Sequence, residues 1–222
     1  CNDPDQIASN LQYYINAYDE ETREIFDKFD FDHQIQRLDE ADLLYKVVRQ
    51  FAEIDLHPDE VPNEEMGYIY EELIRKFNEL SNETAGEHFT PREVIELMVN
   101  LIFDEDDEAL TEEGAVRTVY DPACGTGGML SVAEDHVRNL NSEANLHVFG
   151  QELNPESYAV CNSDMLIKGQ EPENIVYGNS FTNDGFPDRN FDYMLSNPPF
   201  GVSWKKVKEE IEQEHEEEGF AG

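Results

Sequence analysis

The sequence predicts an α/β fold: a helical N-terminal domain over residues 1–85, then a parallel sheet with crossover helices over residues 86–222. Three observations predict it. Apolar residues recur at helical spacing through the first 85 positions. From residue 86 onward, short apolar runs alternate with segments of helical period. Each apolar run ends in residues that stop or turn a strand: glycines, an acid, or two prolines.

Each element has its own justification. Ile7, Leu11, Ile15 and Tyr18 share a helical spacing, as do Leu43, Leu44, Val47, Val48 and Phe51. Ile69, Leu73, Phe77 and Leu80 repeat it after the loop "HPDEVPNEEMG". In "GEHFTPREVIELMVNLI", Thr90 suits the N-cap, Pro91 the first helical position and Glu93 the reciprocal capping-box position. An acidic loop follows at residues 104–114. "VRTVYDPACGTGGML" then reads as strand, glycine turn and helix. "LHVFGQELNPESYAVCNSDMLIKG" reads as strand, acidic end and helix, with Asn154 as cap, Pro155 in the first turn and Gly169 as the stop. "ENIVYGNSF" is a third strand and "FDYMLSNPPF" a fourth. Alternating strands and helices imply parallel pairing with right-handed crossovers. The tail "WKKVKEEIEQEHEEEGFAG" is a charged helix or loop, and no internal repeat is present.

Composition narrows the function classes. The apolar share is 39% and the aromatic share 11%, so the chain has the material for a packed core. Against 15 Lys and Arg stand 51 Asp and Glu, a net charge of −36 spread along the whole chain. Self-repulsion at this charge destabilises a compact state unless salt screens it, and the screening length falls to ~3 Å at molar salt. A folded protein of a high-salt cytoplasm is the expectation. The same acidity weighs against unaided binding of nucleic acid, whose phosphates carry the same sign. The cysteines, Cys1, Cys124 and Cys161, are odd in number and have no CxxC spacing. The histidines are scattered, so no metal site is expected. No apolar run reaches the ~18 residues of a membrane span and no signal peptide is visible, which points to a cytoplasmic protein without a membrane partner. The chain begins with Cys rather than Met, as a processed or cut N-terminus would.

The candidate site lies at the strand ends. "DPACGTGG" is a glycine turn between strand and helix, the kind that brings backbone amides close to a ligand. It lacks the Gly-Lys-Ser/Thr end of a phosphate loop and the third glycine of a dinucleotide fingerprint. A ligand without phosphates fits better, with Asp121 accepting from an amino group. Glu152, at the end of the second strand, is placed to accept from ribose hydroxyls. Together they describe a site for an adenosine bearing an amino-acid-like group, S-adenosylmethionine.

The fourth run ends in Asn197-Pro198-Pro199-Phe200. The diproline fixes backbone angles and removes competing donors. The Asn197 side-chain oxygen and the Pro198 carbonyl can then accept both hydrogens of an exocyclic amino group. This favours the pyramidal nitrogen that attacks a methylsulfonium carbon. Phe200 offers a stacking face. A base inside a duplex must flip out to reach such a turn, at a cost of a few kcal/mol.

"DPACGTGGML" followed by "NPPF" resembles the amino-group DNA methyltransferases that make N6-methyladenine. "GEHFTPREVIELMV" and "GQELNPESY" sharpen the resemblance to the modification (M) subunit of type I restriction–modification systems, over roughly residues 67–222. The resemblance implies a helical domain followed by a Rossmann-like S-adenosylmethionine-dependent methyltransferase domain. It implies that Glu87, His88, Phe89, Thr90, Pro91 and Arg92 close over the methionine part of the cofactor. Asp121, Ala123, Gly125, Thr126, Gly127 and Gly128 line the same cofactor, and Glu152 binds its ribose. Asn197, Pro198, Pro199 and Phe200 form the catalytic turn. It further implies DNA with a flipped adenine as substrate, a specificity (S) subunit that reads the DNA, and a restriction (R) subunit as a further partner.

Two departures from the family pattern stand out. Many relatives carry an acid after the third strand to bind the cofactor adenine, and here Asn179 stands in that place, with an amide oxygen that can still accept. The family sheet has seven strands and this chain supplies four, so a fragment or interrupted chain is expected. Lys205, Lys206 and Lys208 form the one dense basic spot and read as the solvated start of a helix rather than a phosphate contact. Two other readings stay open. One is a non-catalytic or truncated cofactor-binding assembly module. The other is a protein-glutamine methyltransferase, whose relatives usually carry Tyr after the prolines and lack "HFTPRE".

Overall fold

The computed structural model describes residues 6–80, 90–104, 110–112, 114–199, 201 and 203–218. Among them, helices α1 (Ile7–Ile15), α2 (Glu20–Lys28), α3 (Phe31–Glu40), α4 (Leu44–Ala52) and α5 (Asn63–Leu80) precede the sheet. Then come α6 (Arg92–Phe103), β1 (Val116–Asp121), α7 (Gly128–Leu140), β2 (Asn145–Glu152), α8 (Pro155–Lys168), β3 (Ile175–Tyr177), β4 (Tyr193–Met194) and α9 (Lys208–Glu218). The sheet is parallel throughout, in the order β3-β2-β1-β4.

The strands earn their pairing by burial on one face. Val119 of β1 sits beside Val148 of β2, and both are buried with Leu146 beneath α7 and α8. Those helices supply Met129, Leu130, Ala133, Val137, Cys161 and Met165 to the same core, and α6 adds Ile95, Val99 and Phe103. Neighbouring strand residues point the other way. There Tyr120 and Phe149 meet Phe186 and Phe191 from the β3–β4 connection, with ring centroids 4.7–5.6 Å apart. The Arg189 guanidinium lies 3.8 Å over the Phe149 ring. A loop, not a helix, covers this second face. Its anchor is Gln151, fully buried, whose amide donates to Asn183 O at 2.7 Å and accepts from Gly185 N–H at 3.1 Å.

The predicted punctuation holds at α8. Asn154 accepts from the amides of Glu156 and Ser157, Pro155 opens the helix, and Gly169 closes it in the left-handed region at φ 71°. At α6 the prediction fails by one residue. Pro91 is the N-cap and the helix starts at Arg92, with no side-chain cap. Thr90 lies outside the helix, and its hydroxyl faces a different partner, described below. Lys205 and Lys206 are exposed in the short turn before α9.

The helices before the sheet divide their contacts. Ile7, Ile35 and Leu44 form a small cluster of their own. α2 and α5 pack against α8, where Lys168 Nζ bonds Asp164 at 2.9 Å and Ser131 donates to the same carboxylate at 2.6 Å. Helical periodicity predicted the helices better than it predicted burial: Leu43, Phe51, Ile69 and Leu73 are exposed. Tyr18 lies past the end of α1. No helix among the described residues is long and apolar enough to cross a membrane, and no group of His, Cys, Asp or Glu among them could hold a metal.

Candidate active site

Parallel pairing of β4 beside β1 brings the asparagine–proline turn to the rim that carries the glycine turn. β4 is short, but its entry is tied down by side chains. The Asp192 carboxylate accepts from Thr118 N–H and from the Thr118 hydroxyl, each at 2.8 Å, and Asp192 N–H donates back to that hydroxyl at 3.0 Å. Leu195 N–H then donates to Tyr120 O at 3.0 Å. Asn197 follows two residues later.

The glycine turn is shaped by positive φ. Gly125 has φ 56° and Gly127 φ 83°, and Gly127 is the N-cap of α7. A Cβ at Gly127 would also sit 2.7 Å from Cys161 Sγ. The two carboxylates flank this turn. Glu152 accepts from Gly125 N–H at 2.8 Å and from Asn154 N–H at 2.6 Å. Its oxygens are thereby aimed, and each keeps a lone pair for a ligand hydroxyl. Asp121 is buried and accepts from Ala123 N–H at 3.0 Å. Burial pushes its carboxyl up to about 7, and the nearby Glu152 charge adds to the rise. The Ala123 amide, which donates to the carboxylate, and the nearby Ser196 hydroxyl oppose it.

Asn197 is held through its amide nitrogen, which donates to Thr90 Oγ1 at 2.9 Å. Pro198 and Pro199 are exposed beyond it. Thus Thr90, Pro91, Asp121, Ala123, Gly125, Thr126, Gly127, Gly128, Glu152 and Asn197 gather at the carboxyl ends of the strands. Arg92 turns along its own helix, with Nε 3.2 Å from Glu96. Asn179 follows β3 as expected, but its side-chain oxygen already accepts from Phe181 N–H at 3.0 Å. Glu87, His88, Phe89 and Phe200 lie outside the described residues.

Residue-by-residue reading missed three supporting groups. Ser196 lies near enough to Asp121 to oppose the rise of its carboxyl; its signal was a hydroxyl directly before the candidate asparagine. Ser180 donates to Pro122 O, joining the β3 loop to the β1 turn. Gln151 was marked by being polar within an apolar strand. Two grooves, of about 500 and about 430 Å³, lie elsewhere: one among α1, α2 and α3, the other where α2 meets α8 and β3. Neither includes Asp121, Glu152 or Asn197.

An open parallel sheet with a glycine turn, a strand-end acid and an asparagine–proline turn on one rim is a methyltransferase fold. Solved structures agree. The type I restriction–modification system methyltransferase subunit from Streptococcus thermophilus matches with a TM-score of 0.66 at 24% identity, over 90% of this chain and 44% of that one. A Listeria monocytogenes protein assigned as a class I S-adenosylmethionine-dependent methyltransferase matches with a TM-score of 0.57 at 16% identity, over 90% of this chain and 58% of that one.

The family N-6 DNA Methylase matches residues 62–221, and the chain belongs to it. Among curated relatives, the type I restriction enzyme MjaIX methylase subunit of Methanocaldococcus jannaschii is 31% identical over 167 residues, covering 75% of this chain and 28% of the relative. The EcoEI methylase subunit of Escherichia coli is 30% identical over 206 residues, covering 89% of this chain and 40% of the relative. The chain therefore spans well under half the length of these two relatives.

Proposed function

We propose that this chain carries the cofactor site and catalytic turn of a DNA methyltransferase that transfers a methyl group from S-adenosylmethionine to N6 of adenine. It would act as the modification subunit of a type I restriction–modification complex. The observation that carries this reading is that Asn197 follows the strand next to the one that ends in Asp121, on one sheet rim, with its amide held by Thr90. The cofactor supplies an electrophilic methyl group on a sulfonium. The chain does the rest. Asp121 and the glycine turn receive the amino-acid end, and Glu152 receives the ribose hydroxyls. The Asn197 oxygen and the Pro198 carbonyl accept the two hydrogens of the flipped base's amino group, and Phe200 stacks on the ring. These dipoles are preorganised by the sheet and need no rearrangement during transfer.

With a net charge of −36, the chain needs help to hold DNA. We assign that role to a specificity subunit, with a restriction subunit as a further partner, in a high-salt cytoplasm. The test is methyl transfer from labelled S-adenosylmethionine to unmethylated duplex, using the intact gene product with its specificity subunit in molar salt. Label recovered as N6-methyladenine supports the reading. Label on cytosine or on protein glutamine contradicts it.

A further inference from the structure

The bond between Asn197 and Thr90 fixes more than a position. A primary amide offers two unlike ends. The carbonyl oxygen accepts hydrogens, whereas the NH₂ group only donates. Rotation about the last side-chain bond is broad and nearly two-fold, so an unheld asparagine presents either end. For binding an amino group the difference is decisive: Oδ1 attracts its hydrogens and Nδ2 repels them. Here Nδ2 is spent on Thr90 Oγ1 at 2.9 Å. The amide oxygen is thereby turned away from Thr90.

Thr90 is well placed to hold the Asn197 side chain. It does not cap α6, whose N-cap is Pro91, so its hydroxyl is not spent on the first helical turn. The adjoining helix is seated by buried Ile95, Val99 and Phe103.

We propose that Thr90 is a positioning residue: its hydroxyl holds the Asn197 side chain at the rim, so that the amide is fixed in place when it meets the amino group of the substrate base. This rests on the catalytic reading of Asn197 above. It is separate from any contact that Thr90 makes with cofactor, because it acts on turnover and not on cofactor affinity.

The experiment compares Thr90→Val, which keeps the shape and removes the hydroxyl, with Thr90→Ser, which keeps the hydroxyl. Both are made in the intact gene product with its specificity subunit. Turnover is measured at saturating cofactor, and cofactor affinity by calorimetry. Loss of one such hydrogen bond should slow turnover of Thr90→Val by roughly five- to twentyfold. Its cofactor affinity should stay within about twofold, and Thr90→Ser should recover most of the rate. Should valine disturb the α6 entry, seen as a lowered melting temperature, Thr90→Ala against Thr90→Ser makes the same comparison. Unchanged turnover in Thr90→Val, or a loss explained by weaker cofactor binding alone, overturns the proposal. Either result leaves the catalytic reading standing as long as Asn197→Ala is inactive. If Asn197→Ala is fully active, the catalytic reading falls first.

Discussion

The two halves of the candidate site are built by different means. The cofactor half rests on β1 and β2, paired over six residues from Val116 to Asp121, with buried Val119 and Val148 at the centre. Its geometry is set by backbone: glycines at positive φ, and amides that aim Glu152 and Asp121. The catalytic half rests on β4, whose ladder with β1 covers two residues. Its geometry is set by side chains: Asp192 with Thr118, and Asn197 with Thr90. A backbone-built site fails through sterics and loses its ligand. A site tied by side chains fails one bond at a time and loses its aim.

That contrast predicts separable defects. The largest belongs to Gly127→Val. Its Cβ would meet Cys161 Sγ at 2.7 Å in a left-handed backbone position. Strain of this kind costs about 1–3 kcal/mol, so cofactor affinity should fall roughly 5- to 150-fold by calorimetry as the turn deforms. Retained affinity would remove the glycine turn from the site. The opposite defect is expected of Asp192→Ala, which frees the entry to β4. With about 1 kcal/mol lost for each of the two bonds to its carboxylate, turnover should fall roughly thirtyfold. Cofactor affinity should be spared, and a parallel loss of affinity would mean that the halves are not independent.

A further effect is on pH. The Asp121 carboxyl is raised from 3.8 to about 7 by burial. A raised carboxyl favours the folded state most at pH below its unfolded value, and that contribution fades as pH rises through about 7. A cationic ligand prefers the ionised form. Cofactor affinity should therefore rise with pH, by up to about tenfold per unit below 7, and level off above it. Calorimetry in buffers of different ionisation enthalpy should show proton release at pH 6 and little at pH 8. In Asp121→Asn the dependence should vanish; if it persists, another group carries it.

The backbone-built half was legible in the sequence and the side-chain half only partly so. Strand, glycine turn and capped helix are local patterns, and each was placed by residues a few positions apart. The ties of β4 join residues 74 and 107 positions apart, which no local pattern encodes. The same cause misplaced Thr90. Locally it suits a helix cap, but a distant asparagine claims its hydroxyl and the helix begins after Pro91. The aromatic loop over the second sheet face was equally hidden, because Gln151, on a strand far back in the chain, anchors it at Asn183 and Gly185, next to Phe186.

The central claim is that the turn at Asn197 performs the transfer while the β1–β2 rim holds the cofactor. One paired measurement tests it most directly: single-turnover methyl transfer and cofactor affinity for Asn197→Ala in the intact complex. The account predicts transfer reduced at least ~100-fold, with cofactor affinity within about threefold of the parent. Full transfer by Asn197→Ala would contradict it.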